Sequence, residues 1–257
     1  MSLVANATST LASLSRLHRG IYTKPAAVKP DQLLELYDIE ACPFCRLVRE
    51  TLTELDLDAM IYPCPKGGTR FRPKVVAAGG KAQFPYLVDP NTGAAMYESA
   101  DIVAYLFDTY AKRPLPLAQK LRGFDTAASA IASLYRAGAG AKVRTSSPPA
   151  RPLELYSIET SPFARRVREV LCELELPYHV RNCGRTQVKE SMPPGLRDRL
   201  GIQIAPETPN RQALLARAGR LQVPYLIDPN TNTELFESNA IIRYLETTYA
   251  QPAVAAA

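Results

Sequence analysis

The chain has 257 residues, a net charge of +6 and five cysteines. Hydrophobic residues make up 46% of it and charged residues 22%, which is ordinary for a folded domain and excludes a disordered chain. No apolar stretch reaches the roughly 18 residues needed to cross a membrane, so the sequence predicts no transmembrane segment. Five cysteines are too few, and odd in number, for a disulfide-rich secreted scaffold, so they favour a protein of a reducing compartment.

The first 30 residues are basic. They contain four basic and no acidic residues among many Ser, Thr and Ala, a composition typical of a plastid or mitochondrial transit peptide. However, Leu11–Arg16 resembles Ile131–Arg136, which lies inside the chain where no transit peptide could be. We therefore favour a partly helical lead-in segment over residues 1–30 and a cytoplasmic protein of bacterial type, with an organelle as the alternative.

Two long blocks of the sequence occur twice. Residues 34–56 and 153–175 share 15 of 23 positions, and residues 83–111 and 222–250 share 16 of 29. Self-similarity of this kind indicates that one structural unit has been duplicated.

The repeat divides the chain into two modules. Module 1 spans residues 31–111 and module 2 spans residues 153–250, followed by a tail over residues 251–257. A basic, partly helical linker is predicted over residues 112–152. Module 2 has additional residues between its two blocks, and their prolines predict a surface insert near residues 190–212.

Each module has the pattern of a compact α/β unit. In module 1, short apolar runs predict strands, a helix follows Pro43, and a second helix begins at Ser99. The order strand, helix, strand, then two strands and a helix implies a four-stranded mixed sheet flanked by helices. The predicted strands are residues 33–37, 59–62, 85–89 and 94–97.

The helix that follows Pro43 is predicted to be amphipathic. Its apolar residues recur at helical spacing, while basic residues in its first turns are expected to add positive potential near its start. The apolar residues are Phe44, Val48, Leu52 and Leu55, and the basic residues are Arg46 and Arg49.

The motif Cys42-Pro43-Phe44-Cys45 lies where the first strand turns into this helix. A helix N-terminus presents free N–H groups and a partial positive charge, which favour the thiolate of Cys42 and lower its pKa. Cys45 follows one turn later and can resolve a mixed disulfide formed at Cys42. Zinc or iron–sulfur ligation is the alternative, but structural zinc usually needs four ligands, and the sequence has no second Cys-x-x-Cys or paired His.

Module 1 resembles the glutaredoxin family and the closely related N-terminal domain of glutathione S-transferases, which share the thioredoxin-like fold. The resemblance covers residues 33–111 and again residues 152–250. It implies two tandem thioredoxin-like modules of the α/β class, with glutathione as co-substrate. The residues that carry it are Tyr37, Cys42-Pro43-Phe44-Cys45, Phe84-Pro85-Tyr86-Leu87 and Glu98-Ser99.

The resemblance also implies a glutathione site. Pro85 would follow a cis peptide bond, and the backbone of Phe84 would pair with glutathione as a strand does. Glu98 and Ser99 would hold the γ-glutamyl end, because a carboxylate suits an ammonium group and a helix N-terminus suits a carboxylate. Ser99 is also expected to be the helix N-cap. The other residues of the implied site are Tyr37, Pro43 and Phe44.

Module 2 departs from this pattern at both cysteines, which are replaced by Ser161 and Ala164. A serine cannot cycle through disulfides, so a non-catalytic copy is expected. Some glutathione transferases hold the glutathione thiolate with a serine near this position, which leaves a binding role open. The implied binding half is retained as Val223, Pro224, Glu237 and Ser238.

The remaining cysteines are expected to pack inside the modules. Cys64 and Cys183 occupy equivalent places in the repeat, which favours a shared packing role over a regulatory one. Cys172 lies within a predicted helix and is also expected to be buried.

The sequence predicts a glutathione-linked thiol–disulfide oxidoreductase that acts through Cys42 and Cys45 on glutathionylated or disulfide-containing proteins or small molecules. One alternative is a glutathione transferase, although the large helical domain that follows this domain in full transferases is not recognisable after either module. Another is a non-enzymatic glutathione-binding or iron–sulfur scaffold. Nucleic acid is not an expected partner, because the basic residues concentrate in the lead-in and the linker. Pairing of the two modules within the chain is one arrangement that the sequence leaves open.

Overall fold

The structure is a computed structural model, and it describes residues 20–116, 138–192, 196, 199–202 and 204–252. Within these residues, eight strands form one sheet in the order β4-β3-β1-β2-β6-β5-β7-β8. The helices predicted in the lead-in before Gly20 and in the linker near residues 117–134 lie outside the described residues.

Module 1 contributes half of the sheet. Strand β1 pairs with β2 in parallel and with β3 in antiparallel orientation, and β3 pairs with β4 in antiparallel orientation. This confirms the predicted four-stranded mixed sheet and its flanking helices, but helix α2 was not predicted. The elements are β1 (Leu34–Asp38), α1 (Pro43–Glu54), β2 (Ala59–Pro63), α2 (Arg72–Gly79), β3 (Tyr86–Asp89), β4 (Ala94–Met96) and α3 (Ser99–Leu106), which continues as a π-helical turn (Phe107–Ala111).

Module 2 repeats this arrangement with the same strand pairing. The insert predicted near residues 190–212 begins within a 3-10 turn (Val188–Ser191) and ends within helix α5 (Pro209–Ala218). The elements are β5 (Leu153–Ser157), α4 (Pro162–Glu173), β6 (Tyr178–Asn182), the 3-10 turn (Val188–Ser191), α5 (Pro209–Ala218), β7 (Tyr225–Asp228), β8 (Thr233–Phe236) and α6 (Ser238–Tyr249).

Apolar residues of both modules form one core on the face of the sheet that α1, α3, α4 and α6 cover. The opposite face carries a smaller cluster in each module, under α2 and under α5. Val48, Leu52 and Leu55 are buried in the shared core as predicted. Phe44 is not, because its side chain is 46% exposed at the start of α1, and its counterpart Phe163 is 49% exposed.

The two modules are joined edge to edge. Strands β2 and β6 pair in antiparallel orientation, with Ala59 opposite Val180 and Ile61 opposite Tyr178. This pairing covers two strand edges that would otherwise invite association with other chains. It also makes β1 and β5 run in opposite directions.

The segments that precede the modules are exchanged between them. Residues 21–23 precede module 1 and form backbone hydrogen bonds of 2.7 and 2.8 Å with Arg185 of module 2. Residues 141–143 precede module 2 and form bonds of 2.6 and 3.1 Å with Lys66 of module 1. The described end of the lead-in is therefore part of the packed structure.

Candidate functional site

The start of α1 positions Cys42 at the end of the turn after β1. Cys42 is the N-cap of α1, with φ −74° and ψ 125°, and Pro43 is at the first helical position, where its lack of an N–H costs nothing. The Cys42 amide donates to the carbonyl of Ile39 at 3.0 Å. Cys42 is partly exposed, and Cys45 is fully buried one turn later.

The surroundings of Cys42 favour its thiolate. A hydrogen bond from Cys45, together with backbone amides of the first turn and the charge of Arg49, lowers the pKa of Cys42 to about 7, although burial acts in the opposite direction. An ordinary thiol has a pKa of about 8.5. A large share of Cys42 is therefore thiolate, the nucleophilic form, at neutral pH.

The other four cysteines are buried, and their surroundings favour the protonated thiol. All five cysteines are free thiols. The Cys45 sulfur accepts a hydrogen bond from the Ile39 amide at 3.5 Å, and burial raises its pKa. Burial likewise raises the pKa of the remaining three, Cys64, Cys172 and Cys183. This agrees with the predicted packing roles, and it leaves Cys42 as the cysteine whose surroundings favour the thiolate.

A buried ionic cluster lies beneath the cysteines. The Arg49 guanidinium forms an ion pair with Asp38, a second with Glu40 at 3.3 Å and a third with Glu159 of module 2 at 3.1 Å. Although these three carboxylates surround Arg49, its charge still lowers the pKa of Cys42. Burial raises the pKa of Asp38 to about 6. Arg46, the other predicted cation, is buried, and its burial lowers its pKa.

The same cluster continues into module 2. Arg168 occupies the place of Arg49, and its guanidinium lies 3.1 Å from Glu40 and 3.0 Å from Glu159. Where Arg49 meets Asp38, Arg168 donates instead to the Ser157 hydroxyl at 3.0 Å. Each arginine therefore contacts a glutamate of both modules.

Both predicted cis-prolines are present, at Phe84–Pro85 and Val223–Pro224. Tyr37 lies opposite Tyr86 in the register of β1 and β3, so Pro85, the residue before Tyr86, lies at the sheet edge that carries the turn of Cys42. Tyr37 stacks on Tyr62 with ring centroids 4.8 Å apart. It packs in the same cluster as Phe84, on the face that α2 covers.

Glu98 is held in an unusual backbone conformation. Its φ of 63° and ψ of 111° make it the N-cap of α3, which corrects the expectation that Ser99 is the cap, since Ser99 is the first helical residue. The Glu98 carboxylate accepts a hydrogen bond from the side chain of Gln83. A non-glycine residue with positive φ is uncommon and is often held at functional sites.

Module 2 retains this feature. Glu237 has φ 69° and ψ 113° and accepts a hydrogen bond of 2.5 Å from Gln222. Ser238 begins α6 and lies 3.5 Å from Arg166. At the other end of the site, the Ser161 hydroxyl accepts a hydrogen bond of 3.3 Å from the Ala164 amide and so caps α4.

Sequence reasoning missed Arg72, at the start of α2. Its guanidinium donates to the carbonyl of Cys64 at 2.9 Å and lies 4.8 Å from the centroid of the Phe84 ring. Arg211 is its equivalent in module 2 and donates to the carbonyl of Cys183 at 3.2 Å. The spacing between the arginine and the second repeated block is the same in both modules, and this was the signal that could have found it.

Two negative findings apply to the described residues. They contain no group of three or more His, Cys, Asp or Glu side chains placed to hold a metal ion. None of the helices they form is long and apolar enough to cross a membrane.

Comparisons with known proteins identify the family. The family model of the glutathione S-transferase N-terminal domain matches residues 36–114 and 155–253. Curated proteins give no match. Among solved structures, TDR1, a trimeric glutathione transferase of Leishmania, aligns with a TM-score of 0.27 and 13% identity, over 87% of this chain and 68% of that one, which is too distant to support an argument. Because the family model matches both modules and most of the chain, the protein belongs to the glutathione S-transferase N-terminal domain family, with two tandem thioredoxin-like copies of the domain.

Proposed function

We propose that the protein is a glutathione-dependent thiol–disulfide oxidoreductase whose reaction takes place at Cys42. The Cys42 thiolate attacks the glutathione sulfur of a mixed disulfide, and the substrate leaves as a thiol after taking up a proton. A second glutathione then attacks the Cys42–glutathione disulfide, which regenerates Cys42 and releases oxidised glutathione. In the net reaction, the mixed disulfide and one free glutathione give the substrate thiol and oxidised glutathione, so the substrate sulfur is reduced and the two glutathione sulfurs are joined.

The observation that carries this proposal is the pairing of Cys42 with Cys45. Cys42 has a pKa of about 7 at a helix N-terminus, and Cys45 is a protonated thiol one turn away. When the substrate is a protein with an internal disulfide, Cys42 forms a mixed disulfide with one of its cysteines. Cys45 can then attack that mixed disulfide, which releases the reduced substrate and joins Cys42 to Cys45.

The edge beside Cys42 supports glutathione as the partner. The backbone of Phe84, next to the cis bond to Pro85, offers strand-like hydrogen bonds to a peptide. Glu98 and the N-terminus of α3 offer a carboxylate for an ammonium group and free amides for a carboxylate. Tyr37, Pro43, Phe44 and Ser99 complete the proposed site.

Module 2 is proposed to be non-catalytic. Its Ser161 hydroxyl already caps α4, and Ala164 offers no second thiol. The role proposed for module 2 is therefore structural, through the sheet edge and the ionic cluster that it shares with module 1.

The test is reduction of the mixed disulfide of glutathione and 2-mercaptoethanol, with glutathione as reductant. We expect Cys42→Ser to abolish turnover and Cys45→Ala to retain it, because glutathione can resolve the adduct. Ser161→Ala, the matched change in module 2, is expected to leave the rate unchanged. Retained turnover in Cys42→Ser would sink the proposal.

Membership of the transferase family favours one second candidate, the addition of glutathione to an electrophile. The discriminating measurement is conjugation of 1-chloro-2,4-dinitrobenzene by the same purified protein. We expect no conjugation above the uncatalysed rate. Conjugation that persists in Cys42→Ser would instead assign the protein to transferase chemistry.

The proposed location is a reducing compartment. Five free thiols and a mechanism that draws on glutathione both fit the cytoplasm, or the interior of an organelle if residues 1–30 are a transit peptide. The proposed substrates are glutathionylated proteins and small-molecule mixed disulfides.

A further inference from the structure

The chain enters α1 through a β-turn over residues 39–42, which we call the redox turn. The turn is closed by the hydrogen bond of 3.0 Å from the Cys42 amide to the carbonyl of Ile39. The amide of Ile39 donates in the other direction, to the sulfur of Cys45 at 3.5 Å. Glu40 is the first central residue of the turn and is only 3% exposed. A displacement of Glu40 would therefore move the backbone that contacts both cysteines of the motif.

Two side chains of module 2 hold Glu40. The guanidinium of Arg168 donates to both oxygens of its carboxylate, from Nε at 3.2 Å and from Nη2 at 3.1 Å. In this bidentate geometry an arginine fixes the orientation of a carboxylate as well as its charge. The sulfur of Cys172 accepts a hydrogen bond of 3.5 Å from the Glu40 amide. Both residues lie in α4 and are buried, so module 2 binds Glu40 at its side chain and at its backbone.

The corresponding turn of module 2 is held less completely in return. Its glutamate, Glu159, is bound by Arg49 of module 1 through one oxygen, Oε2, at 3.1 Å. The other oxygen, Oε1, is buried and has no hydrogen-bond partner among the described residues. Thr53 stands where module 2 has Cys172, and it donates to the side chain of Asn182 at 2.7 Å instead. The exchange is therefore unequal, and the turn held at more points is the one that carries the cysteines.

The placement of the redox turn matters because short contacts set the pKa of Cys42. A hydrogen bond from Cys45 lowers this pKa most, and backbone amides of the first turn of α1 and the charge of Arg49 lower it further, against the effect of burial. Arg49 also donates to the carbonyl of Glu40 at 3.1 Å. The titratable groups gathered around the turn are Asp38, Glu40, Cys45 and Arg49 of module 1 and Glu159, Arg168 and Cys172 of module 2.

We propose that Arg168 and Cys172 are positioning residues for the reaction at Cys42, because they hold Glu40 and with it the redox turn. Module 2 thus takes part in the reaction through the placement of Cys42, although it contains no reacting group. The inference rests on the proposed function for the identity of the reaction. The placement itself is measured on the Cys42 thiol, without glutathione.

The first measurement is the pH dependence of Cys42 alkylation by iodoacetamide, followed by mass spectrometry. Arg168→Met removes both bonds to the Glu40 carboxylate, and Cys172→Ala removes the acceptor of the Glu40 amide. We expect both to raise the pKa of Cys42. A rise of about one unit makes alkylation about tenfold slower well below pH 7, and a rise of about half a unit makes it about threefold slower. We expect the larger effect in Arg168→Met and the smaller in Cys172→Ala.

Cys172→Ala separates placement from charge, because it changes no charge in the ionic cluster. A shift in Arg168→Met alone would assign the effect to charge and overturn the positioning role.

Two matched variants separate placement from a loss of stability. Thr53→Ala removes the equivalent bond between the modules, which ends on Asn182 and not on the redox turn. Leu171→Ala, beside Cys172 in α4, opens a cavity in the shared core and so destabilises the protein. Both are expected to keep the alkylation profile of wild type. An equal shift in either one would overturn the inference.

The second measurement is reduction of the mixed disulfide of glutathione and 2-mercaptoethanol as a function of pH. We expect kcat/KM of Cys172→Ala to fall below neutral pH by about the factor found for alkylation. It should recover at alkaline pH, where Cys42 is ionised in both proteins. A loss of the same size at every pH is the mark of a folding defect and would overturn the positioning role.

The outcomes separate this inference from the proposed function. If wild type turns over and both variants keep its alkylation and turnover profiles, the inference is overturned and the proposed function stands. If wild type shows no turnover, the proposed function fails, and the alkylation profiles still decide whether Arg168 and Cys172 position Cys42.

Discussion

The two modules share the order of their strands and main helices but differ in several buried and motif side chains. The charged residues of the ionic cluster between the modules are the same in both. The residues of the Cys-x-x-Cys motif, and Asp38 before it, are not. The retained pairs are Glu40 and Glu159, Arg46 and Arg165, Arg49 and Arg168, and Glu50 and Glu169, all of them buried. The pairs that differ are Asp38 and Ser157, Cys42 and Ser161, and Cys45 and Ala164.

This difference indicates what module 2 contributes. Arg49 draws one of its three carboxylates from module 2, and Arg168 draws one of its two from module 1. Because an unpaired buried charge is costly, neither module can bury its arginine well alone. Module 2 thus contributes part of the charge balance beneath Cys42 and Cys45.

The largest expected contrast is between Cys42 and the other cysteines. At pH 7 iodoacetamide should label Cys42 alone, because it is the exposed thiol and its pKa is about 7. The labelling rate should fall about tenfold per pH unit well below that pKa, as the thiolate is lost. Mass spectrometry after timed labelling checks both. Labelling of Cys64 or Cys183 at a similar rate would contradict the burial described here.

Ser161→Cys sharpens this contrast. The new thiol would have nearly the backbone of Cys42, with φ −62° and ψ 119° at Ser161, but no thiol at position 164 to donate a hydrogen bond to it. We expect the rate at which iodoacetamide labels this thiol to rise at a higher pH than the labelling rate of Cys42. Coincident profiles would show that the helix N-terminus alone sets the pKa of Cys42.

The next largest effect concerns the ionic cluster. Replacing one member of a buried ion pair typically costs about 3–5 kcal/mol, because its partner is left buried and charged. Arg49→Met removes the ion pair of Asp38 and leaves Glu40 and Glu159 paired with Arg168, whereas Arg168→Met leaves all three carboxylates paired with Arg49. We expect both to lower the free energy of unfolding in urea, and Arg49→Met to lower it more. Equal losses would show that Asp38 does not depend on Arg49.

Asp38 should make the stability of module 1 depend on pH, whereas its counterpart Ser157 does not titrate. Its folded-state pKa of about 6 lies above the ordinary value of 3.8, so the folded state binds the proton more tightly. The resulting stabilisation is complete below pH 3.8 and is lost as the pH rises through about 6. The difference in unfolding free energy between wild type and Asp38→Asn should therefore change with pH in this window. Ser157→Ala, the matched control, should give a difference that does not vary with pH.

Local patterns were sufficient to predict much of this molecule. The strands and α1 could be predicted because short apolar runs, helical spacing and Pro43 are signals that act over a few residues, and the repeat could be found by comparing the sequence with itself. Helix α2 was missed because Val75 is the only residue between its ends that is buried, which leaves no apolar stripe. The exposure of Phe44 was missed because helical spacing does not show where on the sheet a helix begins.

The electrostatics of the site could not be predicted locally. The charge of Arg49 is balanced partly by Glu159, which is distant in sequence and meets Arg49 only because β2 pairs with β6. Arg72 was missed for a related reason. Its contacts are with the Cys64 carbonyl and the Phe84 ring, which lie on either side of it in the sequence and meet it only in the folded module.

The smallest expected effect concerns the caps of α1 and α4. Ser161 accepts a hydrogen bond from the Ala164 amide, so Ser161→Ala should cost about 1 kcal/mol of unfolding free energy. A thiol is a weak acceptor, so Cys42→Ala should cost less when it is measured well below pH 7, where Cys42 is protonated. Cys42→Ser should stabilise the protein, because a hydroxyl at this N-cap can accept from the Cys45 amide as Ser161 does from its counterpart. Urea unfolding of the three variants measures the order. A variant that gains stability while it loses turnover would show that module 1 gives up a good helix cap to place a thiolate there, whereas a destabilised Cys42→Ser would contradict that exchange.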